Sequence, residues 1–128
     1  MERSESQEIP LIYVAGPYAA DHPVGIERNI DEAARAAADL VLRGYAVLCP
    51  HTNSHRVAIE GGIDNLDHKL WMRQSLATMA RCDAVVLLED WPHSRGTWNE
   101  VLHATEWNIP LAEGAEELPE TEDFWERE

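Results

Sequence analysis

Ser94-Arg95-Gly96-Thr97-Trp98-Asn99-Glu100 is the stretch of this 128-residue chain whose residue types and spacing could do chemistry. Ser94, Arg95 and Gly96 opening a helix bring a hydroxyl, a cation and free backbone amides to its positive end, which is how helices bind anions. Glu100, one turn later, aims a carboxylate at whatever that end holds. A lone carboxylate beside a phosphate is no phosphate ligand. It suits a nucleophile, or an electrostatic partner for a cation developing at an anomeric carbon. The same spacing equally suits a plain helix start, with Ser94 as a cap and a first-turn Glu100 complementing the dipole. The residue types leave both readings open.

Elements on either side must position this stretch. Ala84 to Leu88 is an apolar run without polar alternation, as in a strand buried on both faces of a parallel sheet. Trp98, Val101, Leu102 and Thr105 repeat with helical spacing, so the segment reads strand, loop, helix. Upstream, Ile9 to Gly16 predicts the first strand, Val24 to Arg43 a helix stopped by Gly44, and Tyr45 to Cys49 the second strand, closed by Pro50. His51 to Asp64 reads as a long loop, of a length that is often functional. Leu66 to Arg81 predicts another helix, and Ile109 to Ala112 a last short strand. The alternation predicts an α/β fold: a flavodoxin- or Rossmann-like three-layer sandwich on a parallel sheet of four or five strands, ordered 2-1-3-4(-5). Its switch point lies between strands one and three. There Tyr13, Gly16, Pro17 and Tyr18 would face Asp90, Trp91, Ser94, Arg95 and Gly96 across one crevice, with His51 just beyond the second strand. Trp91 is the tryptophan expected to stack on a ligand; Trp71, Trp98 and Trp107 are expected to pack or to make oligomer contacts.

Composition excludes some classes. A net charge of −14 argues against binding a nucleic-acid polymer, which needs basic patches. No apolar run approaches a membrane span, and the opening Met1-Glu2-Arg3-Ser4-Glu5 does not read as a signal peptide. Cys49 and Cys82 read as buried, reduced thiols of a cytoplasmic protein, without metal-site spacing. Residues 1–112 are expected to form the domain and 113–128 an acidic tail. Phe124 and Trp125 in that tail should pack on the domain or on a neighbouring subunit.

Three stretches together, Tyr13-Val14-Ala15-Gly16-Pro17-Tyr18, Cys82 to Leu88, and Ser94-x-Gly96-x-x-x-Glu100, resemble the nucleoside 2-deoxyribosyltransferase superfamily, which includes the deoxynucleoside 5′-monophosphate N-glycosidases. The resemblance spans about residues 10 to 112. It implies that Glu100 is a nucleophile that attacks C1′ and forms a glycosyl-enzyme, with no metal or cofactor. Tyr13 and Gly16 match first-strand positions near the sugar. Six residues before the glutamate, the nucleoside transferases carry an aspartate on the 5′-hydroxyl, and the nucleotide glycosidases a serine on the 5′-phosphate. Ser94 and Arg95 suit a dianion that an aspartate would repel, so the expected ligand is a small nucleotide, or else a nucleoside. Related folds pair with the neighbour closing the crevice, so a homodimer or higher homo-oligomer is expected.

One position departs from the pattern. The family helix presents an aspartate that helps protonate the leaving base, and in this register stands Ser75, which is no general acid near neutral pH. Asp67, His68, His51, His55 and Asp90 are the candidates to replace it. Asp67 equally suits a helix cap and Asp90 a loop cap. If none serves, the alternative is a nucleotide-binding module that senses without cleaving.

Overall fold

The computed structural model describes residues 8–18, 20–63 and 67–126. Four parallel strands form one sheet in the order β2-β1-β3-β4: β1 (Leu11–Ala15), β2 (Ala46–Leu48), β3 (Ala84–Leu87) and β4 (Leu111–Glu113). The helices are α1 (Pro23–Leu42), α2 (Pro50–Gly61), α3 (His68–Met79) and α4 (Arg95–Glu106). This is a Rossmann-like three-layer sandwich whose strand order reverses between β1 and β3, as the sequence predicts.

Period-two alternation along the strands divides the core. Ile12, Val14, Ala84 and Val86 face one layer with Ala33 and Leu40 of α1. Tyr13, Ala15, Val85 and Leu87 face the other, with Met79 of α3 and Ala104 of α4. β3 is buried at all four positions, which is why its sequence shows no polar alternation. Asp83, at the entry to β3, accepts the Leu11 amide at 2.8 Å and so pins the start of β1 beside it.

The expected loop from His51 to Asp64 is corrected: residues 50–61 are helical, and Asp64 lies outside the described residues. Pro50 takes the first helical position, where its missing N–H costs nothing, and Gly62 closes the C-terminus in the left-handed region at φ 61°. His51 and Ala58 are this helix's buried residues. So small an apolar face hides the helical period in the sequence.

The segment after β4 completes the first layer. Leu118 and Phe124 are buried among Ile12, Val14 and Tyr45, while the carboxylates from Glu113 to Glu126 stay exposed. Arg43, capping the end of α1, donates to the carbonyls of Ala115 at 2.6 Å, Leu118 at 2.8 Å and Pro119 at 3.1 Å. Trp125 Nε1 donates to the Glu8 carbonyl at 2.6 Å. The aromatics of the tail therefore pack on the body of the same chain.

Candidate active site

β1 and α4 meet in one buried polar contact. Tyr13 extends from the middle of β1 toward the helix-α4 side of the sheet, and its hydroxyl donates to Glu100 Oε2. Tyr13 is 1% exposed and Glu100 7%. Burial pushes the Glu100 carboxyl up to about 7, with the bond from Tyr13 pulling it back down. Tyr13 is held well above the ordinary phenol range by burial, then by the charge of Glu100 and the bond to it. The direction of the contact follows: the phenol donates and the carboxylate accepts. Glu100 stands in the second turn of α4, because the helix starts at Arg95. That extra distance carries the carboxylate off the exposed helix end and onto the sheet, out of water.

Ser94 is the N-cap of α4. Its Oγ accepts the Thr97 amide at 3.2 Å and the Thr97 hydroxyl at 2.9 Å. A hydroxyl has two acceptor positions and one hydrogen, so this cap fills both and leaves the Ser94 hydrogen to donate outward. Beside it the Arg95 and Gly96 amides begin the helix without an intrahelical acceptor. Donors facing out at a helix start suit an anion.

These groups open onto a cleft of about 960 Å³ at the carboxyl ends of β1 and β3. Glu100 is its sole carboxylate among the described residues, in a chain with 24 Asp and Glu. Its mouth carries His68, Lys69, His93 and Arg95, all exposed, and Lys69 is the single lysine of the sequence. The global field is acidic and the cleft is locally basic.

Gly16, Pro17, Tyr18, His51, Ser94, Arg95 and Gly96 all line this cleft with Tyr13 and Glu100. Gly16 has a packing reason of its own: a Cβ there would stand 2.5 Å from Leu88 Cδ1. His51 is buried in the first turn of α2, with Nε2 against the carbonyls of Gly16 at 3.1 Å and Pro17 at 2.8 Å. Burial lowers its pKa, so it donates through Nε2 as a neutral ring. Its Nδ1 is buried without a hydrogen-bond partner among the described residues.

Three expected site residues lie elsewhere. Asp67 caps α3, accepting the Leu70 amide at 3.2 Å, and does not border the cleft. Asp90 is exposed and starts the short 3₁₀ turn Trp91–His93, its carbonyl accepting the His93 amide at 3.1 Å. That turn swings Trp91 toward β4, where Nε1 donates to Glu113 at 3.1 Å and the ring packs on the core. Trp98 takes its position at the cleft instead, 45% exposed and held by an Nε1 bond of 2.8 Å to the Pro92 carbonyl and by the Trp91 ring at 4.6 Å. Trp71 lines the cleft as well. Thr97, Met72 and Lys69 also line it, and the solitary lysine is the signal the sequence offers for the last.

No group of three or more His, Cys, Asp or Glu among the described residues is arranged to hold a metal ion, and no described helix is long and apolar enough to cross a membrane. Fold and site define a class: a doubly wound α/β protein with a cleft at its switch point and, among the described residues, one buried carboxylate inside. Residues 10–115 match the family described as Domain of unknown function (DUF1937), and the chain belongs to that family. Comparison with curated proteins gives no match.

Proposed function

We propose that this protein cleaves the N-glycosidic bond of a nucleoside 5′-monophosphate through a glutamate nucleophile. The observation that carries the reading is the position of Glu100: among the described residues it is the one carboxylate of the cleft, buried and bonded to Tyr13, in a largely apolar lining that also carries Ser94, Lys69 and Arg95. In this reading Glu100 attacks C1′ and forms a glycosyl-enzyme, which water or a second base then resolves. Ser94, the first amides of α4 and Arg95 hold the phosphate, and Trp98 offers the base an aromatic face.

Two further expectations belong to the same reading. A homo-oligomer is supported by Leu102, an apolar residue of the cleft wall that is 63% exposed. A cytoplasmic setting is supported by two free, buried thiols.

The test is base release from a panel of nucleoside 5′-monophosphates and their dephosphorylated forms, by wild type and Glu100→Gln. Release from phosphorylated forms alone, lost in the variant, is expected. No release from any of them, with a nucleotide raising the Tm of both proteins, would make the cleft a sensor.

A further inference from the structure

A base departing from C1′ needs a proton, and among the described residues the cleft has no carboxyl group to supply one apart from the nucleophile itself. Tyr13 is committed to Glu100, and His51 is a neutral ring whose N–H is held by two carbonyls. His68, Lys69 and His93 stand exposed at the mouth. One proton donor on the wall is both positioned and connected to a second titratable group. The Tyr18 hydroxyl lies 2.8 Å from His55 Nδ1.

The surroundings of Tyr18 are built to hold it. Its ring stands edge-on to His51 at 5.9 Å and is tilted against His55 at 6.2 Å. Asn29 of α1 donates to its carbonyl at 3.0 Å, and His51 ties down the two carbonyls immediately before it. Helices α1 and α2 thus fix a segment that has no regular structure of its own. His55 is half-buried and does not border the cleft, but it contacts Tyr18, which does.

Resting on the glycosidase reading, we propose that Tyr18 is the catalytic acid for the departing base and that His55 is the positioning residue that recharges it. In the first step a Glu100 oxygen bonds to C1′ and the C1′–N bond breaks, its electron pair going to the base. The Tyr18 proton moves to that base nitrogen, and the Nδ1 proton of protonated His55 moves to the Tyr18 oxygen. In the second step water attacks C1′ and Glu100 leaves as carboxylate. The proton of that water passes to Tyr18 and the Tyr18 proton to neutral His55. Protons balance over the cycle, and the two directions of the Tyr18–His55 bond are its two states.

The experiment compares ordinary leaving bases with bases that depart unaided. 2′-Deoxyguanosine 5′-monophosphate is paired with its N7-methyl derivative, whose cationic base needs no proton, and 2′-deoxyuridine 5′-monophosphate with its 5-nitro derivative. Tyr18→Phe should lose about 100-fold or more on the ordinary nucleotide, the range for general acid catalysis, and less than about 5-fold on its activated partner. His55→Ala should show the same split at smaller size. Each activated substrate also reports folding of the variant in the same assay. An equal loss on both members of a pair would overturn the proposal and make Tyr18 a binding residue, with the glycosidase reading intact. If wild type cleaves no member of either pair and no other nucleotide of the panel, the parent reading falls and this one with it.

Discussion

Tyr13 and Glu100 are 87 residues apart in the chain and share a buried hydrogen bond at the switch point of the sheet. A strand supplies the donor and a helix the acceptor, so the contact exists only because β1 and β3 are neighbours and α4 follows β3. Its chemistry is set by where it lies. In water the carboxyl would be ionised throughout the neutral range; in this site burial works against the charge, and the phenol is what favours it.

Glu100 therefore contributes to stability with a defined sign. Its pKa is raised from the ordinary 4.5 to about 7 in the folded protein. The folded state holds the proton more tightly, so this contribution is complete below the ordinary value and is lost as pH rises through about 7. Glu100→Gln removes that loss. Thermal melts of the two proteins should converge below about pH 4 and separate at pH 8, with the variant the more stable by up to about 3 kcal/mol.

Tyr13→Phe should shift the activity profile. The hydrogen bond from Tyr13 lowers the Glu100 pKa, so its removal raises it further. A nucleophile must be ionised, and kcat/KM should rise with pH to an inflection that moves to higher pH in the variant. A profile that keeps its position while falling in height would show that the phenol acts elsewhere.

Ser94 is where capping and the proposed phosphate recognition can be separated. Ser94→Asp retains a good cap for α4, so Tm should hold within about 1 kcal/mol of stability. It also brings a like charge to the phosphate, and affinity for the phosphorylated ligand should fall roughly 100-fold. Calorimetric titration with a nucleoside monophosphate and its dephosphorylated form should show the second unaffected, whereas Trp98→Ala should weaken both alike.

Phe124 tests the last segment of the chain. It is 4% exposed and packs edge-on to Tyr45 at 6.1 Å. Phe124→Ala should cost about 3–5 kcal/mol in denaturant unfolding, a large part of what a small domain has. The cleft is lined from elsewhere, so ligand affinity of the folded fraction should not change.

What the sequence determined by itself was whatever rests on local pattern. The Val- and Leu-rich run of β3, the stripe of α1 ended by Gly44, and the strand–helix alternation were enough for the sheet and its order. The serine, glycine and glutamate spacing was enough to single out Ser94 and Glu100. Only the tertiary structure decided the rest, because it depends on which faces meet. α2 escaped notice since its buried face is little more than His51 and Ala58, too small to write a period into the sequence. Trp91 and Trp98 exchanged roles because a three-residue 3₁₀ turn rotates one toward β4 and leaves the other at the cleft. The Tyr18–His55 pair spans 37 residues and two elements, and no spacing rule connects them. Side chains that act together are chosen by packing, which a linear pattern does not record.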